Sequence, residues 1–216
     1  MTEDDAGSPP CMAHMLVDGH PVDPGTVRDV ARFRMAERAR LMEARRRIPA
    51  PERATGTAAL ADALDAVVTP EPGLRIAVYW PIRGEPDLRS WMARASGAGA
   101  TILLPVVVEK EAPLIFRPWS PGCAMERGVW NIPVPSEGPD TVPDVVVSPL
   151  VGVDAACFRL GNGGGYYDRT LVRLAPAPRI VGVGFADCTI PTIFPMPWDV
   201  PMDSVVLSDG SVVHRS

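Results

Sequence analysis

The chain has 216 residues, of which 46% are hydrophobic and 22% are charged, and its formal net charge is −5 at pH 7. These proportions are typical of a globular protein with one buried core and exclude a disordered or fibrous chain. The negative charge gives no general attraction to nucleic acid, and the 25 prolines exclude long helical repeats.

The sequence lacks the patterns of a membrane span and of a secretory signal, which predicts a cytoplasmic protein. No stretch approaches the roughly 18 apolar residues of a membrane-spanning helix, and acidic residues (Glu3, Asp4, Asp5) stand where a secretory signal carries positive charge. The basic run 45–47 has acidic neighbours and is interpreted as a solvated helix face. Four cysteines without metal-ligand spacing are predicted to be free thiols in a reducing compartment: Cys11, Cys123, Cys157 and Cys188.

The chain divides into two predicted parts. Residues 1–26 lack a sustained apolar period and are predicted to form a flexible N-terminal extension, whereas residues 27–216 are predicted to form a single α/β domain. Apolar residues at helical spacing predict a first helix from residue 26 to about 47 and a second over 51–67.

The rest of the sequence alternates between strand and helix patterns. Continuous apolar, β-branched runs separated by helical stretches are typical of a mostly parallel sheet covered on both faces. The expected fold class is therefore α/β, a mostly parallel sheet sandwiched by helices in a Rossmann-like three-layer arrangement. The predicted strands are 74–80, 100–107, 114–117, 145–149, 180–185 and 205–207, and the helices between them are 87–98 and 165–174.

Four glycines lie within five positions between a predicted strand and a predicted helix: Gly161, Gly163, Gly164 and Gly165. Glycine permits positive φ angles and close approach, so backbone N–H groups can converge here on an anion such as phosphate. The absence of a following Gly-Lys-Ser/Thr excludes a Walker loop, while a plain strand-to-helix turn stays open. The aromatic pair and Asp168 that follow favour substrate stacking and Mg²⁺ binding.

The segment from Arg159 to Arg169 reads Arg-Leu-Gly-Asn-Gly-Gly-Gly-Tyr-Tyr-Asp-Arg. It resembles the hallmark of the 5-formyltetrahydrofolate cyclo-ligases, also called 5,10-methenyltetrahydrofolate synthetases. Further motifs match that family in order, and the resemblance extends from about residue 27 to 209. These motifs are Tyr79-Trp80-Pro81 with Glu85, Leu103-Leu104-Pro105-Val106-Val107, and Asp199-Val200-Pro201-Met202-Asp203.

The resemblance implies an ATP- and Mg²⁺-dependent ligase that forms a C–N bond. In this family, ATP phosphorylates the formyl oxygen of 5-formyltetrahydrofolate, N10 attacks, and phosphate leaves as the ring of 5,10-methenyltetrahydrofolate closes. The protein then mainly positions reactants and neutralises charge. The expected partners are small molecules, with no nucleic acid or membrane, and the expected state is a monomer or homodimer.

The resemblance also implies residue roles. Arg159 and Tyr166 would be catalytic, and Asp168 and Asp203 would hold Mg²⁺. The nucleotide would contact Arg34, Arg38, Gly161, Asn162, Gly163, Gly164, Gly165 and Tyr167, and the substrate would contact Trp80, Glu85, Val134, Tyr166 and Trp198. Plainer interpretations stay open for three of them: Trp80 as a core residue, Asp203 as a turn residue and Arg38 as a solvent-facing helix charge.

Several positions depart from the family pattern. Arg34 replaces a lysine, and its wide fork differs from a compact ammonium group. Asn162 and Gly164 stand where basic residues are frequent, which predicts weaker phosphate binding. Val134 stands in place of a glutamate and Trp198 in place of a polar residue, so the pterin side of the pocket is predicted to be more apolar.

These departures leave two alternatives to a folate cyclo-ligase. One is a paralogue with the same fold that acts on a more apolar substrate in specialised metabolism. The other is a nucleotide-binding protein without turnover, which the missing lysine favours. Cys188 replaces a glutamine near the pocket and is interpreted as a structural thiol, because no histidine is close to it in sequence.

Overall fold

A computed structural model describes residues 16, 17 and 19–215, so most of the predicted N-terminal extension lies outside the described residues. Its last part differs from the prediction, since β1 (Leu16–Val17) and β2 (His20–Pro21) form a short hairpin before helix α1 (Pro24–Arg47). The helix begins two residues earlier than predicted because the Asp23 carboxylate accepts a hydrogen bond of 2.6 Å from the Thr26 backbone N–H.

The remaining elements alternate in type along the chain, as the sequence predicts. In order they are α2 (Ala50–Val68), β3 (Arg75–Ala77), α3 (Arg89–Gly97), β4 (Thr101–Val106), β5 (Ile115–Trp119), β6 (Met125–Arg127), β7 (Pro133–Pro135), β8 (Val145–Pro149), β9 (Gly152–Val153), β10 (Arg159–Leu160), α4 (Tyr166–Leu171), β11 (Arg179–Gly184), β12 (Ser204–Leu207) and β13 (Val212–His214). No helix in this part of the chain has both the length and the apolar character needed to cross a bilayer.

A seven-stranded sheet lies at the centre in the order β13-β12-β11-β8-β3-β4-β5. The five inner strands are parallel, and the two edge strands pair antiparallel with their neighbours. This arrangement confirms the predicted α/β fold with a mostly parallel sheet. Because parallel strands all end at one edge, the loops that follow β3, β4, β8 and β11 gather there.

Both faces of the sheet are buried, since successive side chains of β8 point to opposite sides. Val145 and Val147 pack in the core cluster that contains residues of α2 and α3, while Val146 packs in a second cluster on the other face, with Leu171 of α4. The indole N–H of Trp91 donates to Asp65 at 2.6 Å and ties α3 to α2. The sheet is thus a rigid base for the loops at its carboxyl edge.

The hairpin β9–β10 leads the chain from the sheet into the glycine-rich segment. Asp154, buried in its turn, accepts hydrogen bonds from the backbone N–H groups of Ala156, Phe158 and Ile193 at 3.0–3.1 Å. Leu41 of α1 packs beside the same hairpin in a third core cluster. These contacts fix the point at which the glycine-rich segment begins.

Candidate active site

A cavity of about 940 Å³ opens at the carboxyl edge of the sheet. This volume is suited to small molecules or cofactors. Helix α1, the loops after β3, β4 and β8, the β6–β7 arm and the glycine-rich segment contribute to its wall. The cavity brings together every predicted site residue except one: Arg34, Arg38, Trp80, Glu85, Val134, Arg159, Gly161, Asn162, Gly163, Gly164, Gly165, Tyr166, Tyr167, Asp168 and Trp198.

The glycine loop, residues 161–165, has backbone donors to offer a ligand. Gly163 and Gly165 have φ angles of 100° and 64°, in the left-handed region that favours glycine. Among the residues that the structure describes, no group accepts a hydrogen bond from the backbone N–H groups of residues 162–165. These N–H groups are free for an anion, as the sequence predicts for a phosphate loop.

Arg38 holds the glycine loop from the side of α1. Its Nε donates to the Gly161 carbonyl at 2.7 Å, and its guanidinium lies beside Gly163. Burial lowers the pKa of Arg38, and the nearby charges of Arg34 and Arg159 lower it further. No carboxylate of the described chain lies within ion-pair distance of Arg38, so its charge has no protein counterion in direct contact.

Unlike Arg38, Arg34 is paired with a carboxylate of the described chain. Its guanidinium donates to the Ile193 and Phe194 carbonyls at 2.9 and 2.8 Å and forms a two-pronged ion pair with Asp199. These contacts occupy four of its five N–H groups. Arg34 lines the cavity, but it ties α1 to the loop that carries Trp198. Its predicted role as a nucleotide ligand stays a prediction, with one N–H group left for that purpose.

Arg159 and Asp168 form a largely buried ion pair at 2.8 Å beneath the glycine loop. The Asp168 carboxylate also accepts a hydrogen bond from the Val200 backbone N–H at 3.3 Å, and the Arg159 guanidinium lies 5.0 Å from the centre of the Tyr167 ring. Burial raises the pKa of Tyr167, so this phenol stays protonated.

The prediction for Asp203 needs correction. Its carboxylate accepts hydrogen bonds from the Ile180 backbone N–H at 2.8 Å and from Arg215 at 3.1 Å, and it borders a second cavity. Asp203 directly precedes β12, so it lies at the amino edge of the sheet, opposite the loop edge. It therefore cannot share a metal ion with Asp168.

The remaining donors fit one kind of metal site. Among residues 16, 17 and 19–215, no group of three or more His, Cys, Asp or Glu side chains is arranged to hold a metal. Asp168 lies on α4 shortly after the glycine loop, where its carboxylate pairs with Arg159 and accepts a hydrogen bond from the Val200 backbone N–H. A single carboxylate beside a predicted phosphate-binding loop fits Mg²⁺, which proteins bind through one or two carboxylates together with substrate phosphates and water.

Glu85 is the carboxylate in the substrate half of the cavity, and only 4% of its surface is exposed. One carboxylate oxygen accepts from the Ile82 backbone N–H at 3.0 Å and the other from the side-chain amide of Asn162 at 3.1 Å. Burial raises the pKa of Glu85, and these two hydrogen bonds partly oppose that rise.

Aromatic and apolar side chains form the rest of the substrate half. Tyr166 packs edge-to-face with Trp130 at 5.4 Å, and its hydroxyl accepts from the Glu111 backbone N–H at 3.2 Å. Val134 is 5% exposed on β7, and Trp198 lines the opposite rim. These residues form an aromatic and apolar part of the cavity wall, and the expectation that this wall is more apolar than in the family stays a prediction.

Trp80 is partly buried in the segment after β3, packs against the α2–α3 core and also lines the cavity. The guanidinium of Arg89 lies 5.4 Å from the centre of its ring. The core and pocket interpretations of Trp80 are therefore compatible. Cys188 is buried, and burial raises the pKa of its thiol to about 12, which agrees with a structural thiol rather than a nucleophile.

The sequence predictions missed several charged residues of the cavity wall. Arg83 has a positive φ angle of 50° in the turn that follows Pro81, and Asp199 belongs to a motif in which the prediction chose Asp203 instead. Both residues follow strands of the parallel sheet, and this position in the sequence could have predicted that they lie at the carboxyl edge. In all, six arginines and three carboxylates line the cavity of this acidic protein: Arg34, Arg38, Arg83, Arg159, Arg169 and Arg173, with Glu85, Asp168 and Asp199.

The fold and the cavity define the class of protein: an α/β protein with an arginine-rich ligand cavity at the carboxyl edge of a mostly parallel sheet. The model of the 5-formyltetrahydrofolate cyclo-ligase family matches residues 30–208, and the chain belongs to that family. It is therefore an enzyme of the ligase class.

Curated relatives share the family. The chain is 30% identical over 184 residues to a 5-formyltetrahydrofolate cyclo-ligase of Mycolicibacterium smegmatis, a match that covers 82% of this chain and 94% of the relative. It is 33% identical over 139 residues to the enzyme of that name from Escherichia coli, which covers 61% of this chain and 76% of the relative.

Solved structures agree. A 5,10-methenyltetrahydrofolate synthetase of Aquifex aeolicus superimposes with a TM-score of 0.73 at 26% identity, covering 84% of this chain and 92% of that one. One from Mycoplasma pneumoniae superimposes with a TM-score of 0.65 at 23% identity, covering 80% and 97%, and supports the fold alone.

Proposed function

We propose that this enzyme is a 5-formyltetrahydrofolate cyclo-ligase that uses Mg-ATP to form 5,10-methenyltetrahydrofolate. The observation that supports this proposal best is the pairing of free backbone N–H groups at residues 162–165 with Arg38, a cation without a carboxylate in contact. Both face one cavity that also contains Glu85 and an aromatic wall. Such a cavity can receive a triphosphate at one side and a pterin at the other.

On the nucleotide side, the glycine loop and Arg38 would bind the phosphates, with Arg159 behind the loop. Arg159 would stabilise the negative charge that develops during phosphoryl transfer. When bound, Mg²⁺ would neutralise charge on the phosphate oxygens, with Asp168 as its protein ligand. The Arg159–Asp168 ion pair keeps both side chains in place before any ligand arrives.

On the substrate side, the formyl oxygen would attack the γ-phosphorus, and the bond between that phosphorus and the ADP oxygen would break. N10 would then attack the formyl carbon as the carbon–oxygen bond to phosphate breaks. Glu85 would accept the proton that N10 loses, because burial raises its pKa above the ordinary value of 4.5 and makes it a stronger base. Tyr166 would pack against the pterin next to the reacting formyl group.

A second candidate is a paralogue that acts on a more apolar amide, which the buried Val134 and the rim residue Trp198 favour. A third is a nucleotide binder without turnover, favoured by the commitment of Arg34 to Asp199 and two carbonyls. The cytoplasmic location and the monomer or homodimer state expected from the sequence remain predictions.

One experiment separates these candidates: phosphate release from Mg-ATP is measured with and without 5-formyltetrahydrofolate, together with the absorbance of the methenyl product. Folate-dependent release with product formation supports the cyclo-ligase. Phosphate release that occurs only with other amides supports the paralogue. Nucleotide binding without any phosphate release supports the nucleotide binder. Asp168→Asn should lose turnover, whereas the exposed Asp187→Asn serves as the matched control.

A further inference from the structure

Asn162 makes a contact that its place in the glycine loop does not require. Asn162 is an exposed residue of the loop, yet its side-chain amide donates to Glu85 Oε1 at 3.1 Å in the cavity wall. The two residues are 77 positions apart in sequence. A single side chain therefore joins the phosphate-binding loop to the carboxylate of the substrate half.

The Glu85 carboxylate, which receives this hydrogen bond, is held by two N–H donors. Glu85 is buried, and its second oxygen is already held by the Ile82 backbone N–H. An ionised carboxylate that loses one of two N–H donors in a desolvated site either rotates towards another donor or takes up a proton. The Asn162 amide is thus one of the two N–H donors that hold the Glu85 carboxylate.

Other charged and titratable groups also face Glu85. Arg45 of α1 and Arg83 of the same loop favour its charged form, and Arg45 Nη1 is buried without a hydrogen-bond partner in the described chain. Tyr79 after β3 and Tyr167 of α4 lie close enough for its charge to raise their pKa values. Of these neighbours, Asn162 is the group whose position changes if the glycine loop moves.

Given the proposed function, we propose that Asn162 is a positioning residue that couples the glycine loop to Glu85. Phosphate bound in the loop and substrate bound beside Glu85 then influence each other through one hydrogen bond. The linkage needs a side-chain N–H donor at residue 162, because the hydrogen bond to Glu85 comes from the Asn162 amide. It also gives the small amide a role at a position where a basic residue would contact the phosphate directly.

The first test uses the ligand-free protein and needs no turnover. The carboxyl ¹³C resonance of Glu85, assigned by its loss in Glu85→Gln, is titrated with pH in the wild type and in Asn162→Ala. The substitution should raise the pKa of Glu85, because the charged form loses an N–H donor. Asn162→Gln should restore part of the difference, and the exposed Asn131→Gly should match the wild type. An unchanged titration in Asn162→Ala overturns the proposal.

The second test uses the catalysed reaction. Asn162→Ala should lower kcat/KM about tenfold at neutral pH and move the acid limb of its pH profile upward. In the Glu85→Gln background the same substitution should have less than about a twofold effect, because the partner is already altered. Equal effects in both backgrounds overturn the proposal. A wild type without folate-dependent turnover would instead contradict the proposed function and leave the ¹³C titration as the test of the linkage.

Discussion

Arg34, Arg38 and Arg159 lie close together in the wall of the cavity, but their charges are balanced differently. Asp199 pairs with Arg34 and Asp168 pairs with Arg159, whereas Arg38 contacts the Gly161 carbonyl. Three neighbouring guanidinium groups repel one another, and a bound polyanion relieves that repulsion most at the group that lacks a carboxylate. We therefore assign the largest share of phosphate binding to Arg38.

Substitution tests this assignment. Arg38→Ala should raise the KM for ATP roughly tenfold to a hundredfold, because a charge-assisted hydrogen bond to phosphate is lost. Arg40→Ala on the same helix removes an exposed arginine that pairs with Glu37, and it should leave the KM unchanged. Steady-state kinetics of both variants provides the comparison, and similar effects on KM would contradict the assignment.

The buried carboxylate of Glu85 predicts a conflict between activity and stability. Because burial raises the pKa of Glu85 above its ordinary value of 4.5, the folded protein binds the proton more tightly than the unfolded chain. This tighter proton binding stabilises the folded protein at pH values below that ordinary pKa, and the stabilisation is lost as the pH rises through the folded-state pKa. Glu85→Gln should therefore gain free energy of unfolding relative to the wild type as the pH rises, although it should keep only a small, measurable fraction of the wild-type activity.

Urea denaturation at pH 4 and pH 7.5 measures this gain. The free energy of unfolding of Glu85→Gln minus that of the wild type should be larger at pH 7.5 than at pH 4. A difference that does not change with pH would show that the charge of Glu85 does not cost the fold stability.

At the scale of elements, α1 is joined to the loop at 193–199 by the ion pair between Arg34 and Asp199, whose side chains are only 13% and 9% exposed. Removing one partner of a buried pair leaves the other charge uncompensated, so Asp199→Ala should destabilise the protein by about 3 kcal/mol. Asp29→Ala breaks an exposed pair with Arg32 on the same helix and should have little effect. Urea denaturation compares them, and equal losses would contradict the structural role of Arg34.

The sequence predicted the long elements well and the short ones poorly. The inner strands are continuous apolar runs, so β8 was predicted at its observed bounds, Val145–Pro149. The arm of β6 and β7 was missed because strands of three residues have no detectable period and Pro133 and Pro135 argue against pairing. That arm carries Trp130 at the cavity, so the aromatic wall could not be assembled from the sequence.

Position along a strand explains which predicted site residues lie at the cavity and which one does not. The glycine loop was recognisable from its composition, since its conformation depends on residues adjacent in sequence. Asp203 was misplaced because the sequence motif does not say at which edge of the sheet a residue lies, and that depends on strand direction. The Asn162–Glu85 contact joins distant segments through side chains and left no signal in either segment.

In the whole molecule, the cavity wall carries an excess of positive charge, whereas the net charge of the protein is negative. Six arginines and three carboxylates line the cavity of a chain whose net charge is −5. Nucleotide affinity should therefore fall several-fold between about 50 and 500 mM salt, because counterions screen the attraction. Calorimetric titration with ATP measures this dependence, and an affinity independent of salt would contradict a charge-driven site.

The placement of the tryptophans provides an optical signal of occupancy. Three of the five, Trp80, Trp130 and Trp198, line the cavity, and residue Trp130 is 62% exposed to solvent. Indole emission shifts to shorter wavelength when water leaves the ring. The unlabelled protein therefore contains its own fluorescent reporter, which can follow the filling of the cavity in real time by stopped-flow mixing.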